Sequence, residues 1–147
     1  MRALLISRDS HLYAELASQG AARVPPLHLA STRASLREAL DRPDSEPPQL
    51  VIVDASDADP SESGLLERLG RQYPSAQLML LTDQHQHELL ITAMRAGVRE
   101  VLQLPLVHRA LHEALDRIAA AAGVTALRDG KVLAFIACKG GSGATFI

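Results

Sequence analysis

The sequence has 147 residues, enough for one domain with a sizeable core, and 47% of them are hydrophobic, as is typical of globular rather than disordered proteins. The formal net charge is -2, with acidic and basic residues mixed along the chain, which excludes the basic stripe of a nucleic-acid-binding protein. A single cysteine, Cys138, excludes an internal disulfide, and the apolar run after Met1 is too short for a signal peptide or a membrane span. We therefore expect a cytoplasmic protein without direct membrane insertion.

Five short apolar runs predict β-strands, and the stretches after them have the apolar spacing of amphipathic helices. The predicted strands are residues 3–6, 27–30, 49–54, 78–81 and 101–104. The apolar positions that indicate the five helices fall within residues 12–20, 36–40, 65–73, 89–97 and 107–122, and Pro60 is expected at the first position of the third helix. Gly20 is expected to cap the first helix at its C-terminus, and Ser31 with Thr32 to cap the second at its N-terminus. Met94 is expected on the buried face of the fourth helix.

The repeated order of strand and helix predicts an α/β fold with one parallel sheet. Connections between parallel strands are right-handed, so helices should cover both faces of the sheet. The expected strand order is the flavodoxin-like 2-1-3-4-5. Residues 49–54 are apolar on both sides of the strand, so this strand should lie at the centre. Asp54 then stands at the carboxyl edge of the sheet, where open α/β folds bind ligands and carry out chemistry.

The pattern changes after residue 122, which indicates a second domain. Residues 123–130 are predicted to be a polar linker, and residues 131–137 are predicted to be a new apolar strand. A glycine-rich loop follows directly, so the chain is expected to be a fragment that ends just inside its next domain. The apolar strand 131–137 is expected to pair with another copy of the chain or to pack on the first domain, because an unpaired strand edge seeks partners.

Residues 1–122 resemble a response-regulator receiver domain of the CheY-like fold. The resemblance rests on Asp54 at the end of strand three, Thr82 at the end of strand four, and the step from Leu104 to Pro105 at the end of strand five. In that family the central Asp accepts a phosphoryl group with the help of Mg²⁺. An acidic pair after strand one holds the metal, and a Lys before the strand-five Pro contacts the phosphoryl oxygens.

This sequence keeps Asp54 and Thr82 but departs from the receiver pattern at three positions. Ser7 and Arg8 stand where the acidic pair is expected, and Leu104 stands at the Lys position. Mg²⁺ prefers carboxylate and other hard oxygen ligands, and phosphoryl transfer depends on cations that neutralise developing charge. Asp54 is therefore interpreted as a vestigial phospho-acceptor that either pairs with Arg8 or caps the following loop, and no metal site is predicted.

The glycine-rich loop resembles the deviant P-loop of ParA/MinD-like ATPases. Consecutive glycines between a strand and a helix let backbone N–H groups converge on phosphate oxygens. The candidate nucleotide-binding residues are Lys139, Gly140, Gly141, Ser142, Gly143 and Thr145. Ala144 stands in place of the usual P-loop Lys, which weakens the expectation of ATP hydrolysis. The resemblance implies ATP and Mg²⁺ for the full-length protein, whereas this fragment is expected to hold no cofactor and to be no enzyme.

A degenerate receiver followed by a Lys-Gly-Gly P-loop resembles the TadZ/CpaE family of Flp (tight adherence) pilus assembly proteins. The resemblance implies a homodimeric, cytoplasmic protein that marks the assembly site at the inner membrane, often at a cell pole, and recruits secretion machinery proteins. The receiver would then serve as a binding and dimerisation module. The alternative is a working receiver in which Asp54 accepts a phosphoryl group, with Asp9 as a metal ligand, and regulates the attached ATPase. A third reading makes the chain a piece of an ATP-binding enzyme.

Apolar residues near the fourth helix and fifth strand suggest a dimer interface. The candidates are Ile91, Val98, Leu104 and Leu106. Scattered apolar surface residues are also normal in soluble proteins, so this patch has a neutral explanation as well.

Overall fold

The computed structural model describes residues 1–83 and 87–130. Its strands are β1 (Arg2–Ile6), β2 (His28–Arg33), β3 (Leu50–Asp54), β4 (Gln77–Thr82) and β5 (Val98–Gln103). Its α-helices are α1 (Ser10–Ala21), α2 (Leu36–Asp41), α3 (Ser63–Gln72), α4 (His87–Arg95) and α5 (His108–Gly130), and a single 3₁₀ turn, Pro60–Glu62, precedes α3. Contacts divide the chain into two compact units, Met1–Ala114 and Leu115–Ile147.

The five strands form one parallel sheet in the order β2-β1-β3-β4-β5, which confirms the predicted fold class and topology. The prediction that β3 is central is also confirmed. Leu50, Val51 and Ile52 of β3 are fully buried, since helices cover both faces of a parallel sheet.

One face of the sheet packs against α2, α3 and α4. Leu4, Val51 and Leu80 project from three adjacent strands into a core that also contains Leu69 of α3 and Ala93 of α4. Burying a leucine-sized side chain contributes about 1.5–3 kcal/mol relative to leaving it exposed, so these contacts fix how the helices sit on the sheet.

The start of α2 differs from the prediction. β2 continues to Arg33 because it stays paired with β1, so Ser31 and Thr32 lie inside the strand and do not cap a helix. Ser35 is the actual N-cap, and its hydroxyl accepts a hydrogen bond from the backbone N–H of Glu38 at 3.2 Å.

Two glycines allow close approach of neighbouring segments. Gly20 lies within α1 rather than at its C-cap, and a Cβ there would stand 2.7 Å from the Cβ of Leu27. Gly70 of α3 packs against the loop after α4, where a Cβ would stand 2.7 Å from the carbonyl oxygen of Ala96. By contrast, a Cβ at Gly64, on the same helix, would meet nothing within 4 Å.

The ends of α4 and α5 also differ from the prediction. Met94 is 76% exposed rather than buried. Helix α4 turns Ala93 and Leu89 toward the core, and Met94 lies about 100° further round the helix than Ala93. Helix α5 starts at His108, one residue after the exposed Val107, and it continues through residues 123–130. Those residues are therefore helical, and their role as a link between domains stays a prediction. No helix in the described ranges has both the length and the apolar character that a membrane crossing needs.

Candidate functional site

Strand register brings Asp54 and Ser7 together at the carboxyl edge of the sheet. Ile6 at the end of β1 pairs with Val53 of β3, so the next residue of each chain segment, Ser7 and Asp54, lies side by side. On the other side, Asp54 pairs with Leu81 of β4, one residue before Thr82. Asp54 therefore stands at the carboxyl edge of the sheet, between the ends of β1 and β4.

The Asp54 carboxylate accepts hydrogen bonds from hydroxyl and backbone N–H groups. The Ser7 hydroxyl donates to Oδ2 at 2.6 Å. The Ser56 backbone N–H and hydroxyl donate to Oδ1 at 3.0 and 2.6 Å. The contact with the Ser56 N–H, two residues on, is the geometry of an Asx turn. The interpretation of Asp54 as a loop cap is thus confirmed, and the Ser7 contact is one that periodicity alone did not predict.

The predicted pairing of Asp54 with Arg8 is wrong. Arg8 is exposed, and its guanidinium forms no ion pair with any residue in the described ranges. An ion pair between exposed charged groups contributes little, so the exposed Arg8 gains little by ordering its side chain against Asp54.

Asp9 and Asp59 have local structural partners. Asp9 is the N-cap of α1, and its Oδ1 accepts a hydrogen bond from the His11 N–H at 2.8 Å. Asp59 Oδ1 accepts from the Ser61 N–H at 2.9 Å. The backbone hydrogen bond from Ser61, with a contribution from the Ser61 side chain, lowers the pKa of Asp59 below its ordinary value. Both carboxylates are therefore committed in part to turns at this edge.

The donor set at this edge does not suit Mg²⁺. Ser7 points its hydroxyl proton at Asp54, and Arg8 brings a positive charge to the same edge. Across residues 1–83 and 87–130, no three His, Cys, Asp or Glu side chains are arranged to hold a metal ion. Magnesium favours octahedral oxygen coordination with carboxylate ligands, and this arrangement does not supply it.

Thr82 and Leu104 meet at the ends of β4 and β5. Thr82 is buried, and its backbone carbonyl accepts a hydrogen bond from the Leu104 N–H at 2.8 Å. The half-buried Leu104 side chain carries no charge, so it offers no contact to an anion at this edge.

A cavity of about 790 Å³ opens next to Asp54. Its walls come from the C-terminal parts of β1, β3 and β4 and from the loops that follow β1 and β3. The start of α2 and residues of α3 and α4 complete the walls. Asp54, Ser7 and Ser56 line it together with the apolar side chains of Val53 and Leu66. Sequence periodicity did not indicate this cavity, because its walls come from segments far apart in the chain.

The predicted interface residues do not form a uniform exposed patch. Ile91 is 43% exposed, whereas Val98 packs partly against the core, and Leu104 and Leu106 are half-buried. The apolar residues that α4 and β5 expose most are Met94 and Val101. Whether this surface is an interface stays a prediction.

The other predicted sites have different outcomes. The P-loop candidates, Lys139 to Thr145, and the strand before them lie outside the described residues. The side chains of His108 and His112 on α5 form hydrogen bonds with Glu15 and Gln19 of α1, at 3.2 and 3.3 Å.

No protein-family model and no curated protein matches this chain. Among solved structures, a candidate pilus assembly protein (CpaE) from Burkholderia thailandensis is 32% identical with a TM-score of 0.72, and the match covers 82% of this chain and 98% of that one. A candidate pilus assembly-related protein from Burkholderia pseudomallei is 31% identical with a TM-score of 0.66, and the match covers 82% and 90%.

A response regulator from Thermotoga maritima is 16% identical with a TM-score of 0.68, and the match covers 81% of this chain and 97% of that one. At this identity the likeness shows the receiver fold alone. Together with the two Burkholderia structures, it places the sheet and the Asp54 edge within a known architecture. The chain belongs to the same family as the Burkholderia thailandensis CpaE pilus assembly protein and the Burkholderia pseudomallei pilus assembly-related protein, and its described part has the CheY-like receiver fold.

Proposed function

We propose that this chain is a receiver-like binding and dimerisation module of a pilus assembly protein, and that it acts without accepting a phosphoryl group. In this proposal the protein helps to position the Flp-type secretion machinery from the cytoplasmic side, at a cell pole. The relatives named above support the link to pilus assembly. The observation that carries the loss of phosphorylation is the Asp54 carboxylate, whose oxygens accept hydrogen bonds from Ser7 and Ser56.

The charges that phosphoryl transfer needs are missing around Asp54. A transferring phosphoryl group is stabilised by cations placed against its oxygens. Ser7 replaces a metal-binding carboxylate with a hydroxyl, and Leu104 replaces an ammonium group with an alkyl chain. Arg8 supplies one positive charge, but an exposed guanidinium does not replace a coordinated Mg²⁺.

A second function has one observation in its favour. Asp54 lines an open cavity, so a small phosphodonor could reach it, and Asp9 lines the same cavity as a possible metal ligand. The alternative is therefore a receiver that accepts a phosphoryl group at Asp54 and regulates an attached ATPase.

Incubation with acetyl phosphate and Mg²⁺, followed by intact-mass measurement, separates the two functions. We expect no mass gain, while a conventional receiver treated in parallel gains one phosphoryl group. A mass gain that disappears in Asp54→Ala would overturn the proposal in favour of the alternative.

A gain-of-function variant tests the reason behind the expected result. Ser7→Asp, Arg8→Asp and Leu104→Lys together would restore the three groups that receivers use, and we expect this triple variant to gain the phosphoryl mass. If the triple variant folds and stays unmodified, the missing groups are not the reason for the lack of phosphorylation.

Dimerisation is tested separately, with light scattering after gel filtration at several concentrations. We expect Met94→Asp to shift the population toward monomer, because a charge would be placed in the exposed apolar surface of α4. The matched control is Val24→Asp, which puts the same charge on a 91% exposed valine in the loop before the opposite edge strand, β2. A monomeric wild type, or equal effects of both variants, would contradict the proposed dimer surface.

A further inference from the structure

The cavity beside Asp54 has the size and walls of a small-molecule site. Its volume of about 790 Å³ falls within the range of roughly 300–1,000 Å³ that ligand pockets occupy. Leu36, Ala58, Leu89 and Ile91 supply an apolar wall that a ligand can reach, because they line the cavity and are half-buried or exposed. Leu36, Ala58 and Leu89 pack against the core, so most of this wall is preformed and a ligand would not have to order it.

The charged groups around this cavity are mostly negative. Six carboxylates line it: Asp9, Asp54, Asp57, Asp59, Glu62 and Glu88. Only two guanidinium groups, those of Arg8 and Arg95, line it as well, which leaves a formal excess of four negative charges. A concave surface with one dominant sign of charge concentrates ligands of the opposite sign.

Asp54, which lines the cavity, has no cationic partner in the described ranges. Its carboxylate accepts three hydrogen bonds, all of them from Ser7 and Ser56, which are uncharged. An ionised carboxylate offers about four acceptor positions, so one position is left for a further donor. A half-buried negative charge gains most when that donor is a cation.

The same geometry argues against a bare metal ion as the ligand. The described carboxylates do not converge into a group that could coordinate a metal, since Asp9 and Asp59 are held in turns. A ligand that contacts the apolar wall and also reaches the half-buried Asp54 carboxylate must carry its charge on an apolar body.

We propose that this cavity binds a small organic cation on an apolar body, an alkyl- or arylalkyl-ammonium, with the ammonium group donating to Asp54. This inference rests on the proposed function, because a phosphoryl switch would need the same carboxylate free for metal and phosphodonor. It names the class of ligand that the edge binds in place of a phosphoryl group.

Backbone-amide NMR of the full chain with phenylbutylamine as the probe tests this proposal. We expect saturable shifts of the Ser7, Asp54 and Ser56 amides. The uncharged phenylbutanol and the anionic phenylbutyrate, which share the same apolar body, should bind at least about tenfold more weakly. Equal binding of amine and alcohol, tighter binding of the acid, or no saturable shift with the amine would overturn the proposal.

A variant pair checks the role of Asp54. Asp54→Asn keeps the shape and removes the charge, and it should weaken amine binding about tenfold. The control Asp41→Asn removes the same charge from the exposed end of α2, outside the cavity, and should bind the amine like the wild type. Unchanged affinity in Asp54→Asn, with a thermal melt that shows a folded protein, would also overturn the proposal.

The outcomes separate this inference from the proposed function. If the amine does not bind and acetyl phosphate does not phosphorylate the protein, the ligand proposal is wrong but the proposal of an unphosphorylated module still stands. A phosphoryl mass gain at Asp54 overturns the proposed function, and with it the ligand inference.

Discussion

Replacing Ser7 by Ala probes the contact that ties β1 to β3 at the candidate site. The Ser7 hydroxyl donates to Asp54 Oδ2 at 2.6 Å and accepts from the Asp9 N–H at 3.0 Å. Alanine removes both hydrogen bonds and changes little else, because the backbone of this segment stays paired with β2 through the Ser7 N–H.

The expected loss follows from the exposure of each partner. A hydrogen bond to a charged group contributes about 1.5–3 kcal/mol to stability. Asp54 and Ser7 are only half-buried, so water recovers part of this energy, and the exposed Asp9 N–H can bind water instead. We therefore expect Ser7→Ala to lower the free energy of unfolding by about 1–2 kcal/mol.

Urea denaturation followed by circular dichroism measures this change. The control is Ser10→Ala, on an exposed serine of α1 whose hydroxyl contacts no other residue in the described ranges, and it should change stability by less than about 0.5 kcal/mol. A double-mutant cycle with Asp54→Ala should give a coupling energy of about 1 kcal/mol between the two side chains. Equal stability of both serine variants, or a coupling energy near zero, would refute the reasoning.

Two further predictions concern the segments around the site. Gly70→Ala should lower the free energy of unfolding by about 1–3 kcal/mol, because the new Cβ would stand 2.7 Å from a backbone carbonyl oxygen. The control Gly64→Ala, on the same helix, should leave the free energy of unfolding unchanged or raise it by up to about 1 kcal/mol. Equal urea midpoints of the two variants would contradict this prediction. The pKa of Asp59, followed by NMR of its carboxyl carbon, should lie below its ordinary value and should rise only in part in Ser61→Ala, since the backbone N–H remains. Because the folded pKa is the lower one, any contribution of this group to stability is present above the unfolded pKa and is lost as pH falls through the folded pKa.

The sheet could be predicted because its signal is local. Each buried strand is a short apolar run, and the alternation of strand and helix determines a small set of topologies. The start of a helix was harder to predict where two nearby residues can both serve as the N-cap. Ser31 and Ser35 are both good N-caps, and only pairing of β2 with β1 decides between them.

The site itself depends on contacts between distant segments. Ser7 and Asp54 meet because Ile6 pairs with Val53. Both strands are buried on both faces and read as continuous apolar runs, so they have no alternation from which their register could be predicted. Arg8 was the more obvious partner for Asp54 by charge, yet a neighbouring hydroxyl with the right geometry wins over an exposed guanidinium. Met94 was misassigned because a short helix offers too few turns for its buried face to be read reliably from spacing.

The hydroxyl bond to Asp54 also affects how long such a module could keep a signal. An aspartyl phosphate stores information after its donor has gone, and it is erased only by hydrolysis. A carboxylate that accepts no phosphoryl group offers no such store, so under our proposal the occupancy of the cavity would follow the free ligand concentration by mass action. A complex built on this chain would then report present conditions at its assembly site and keep no record of earlier ones.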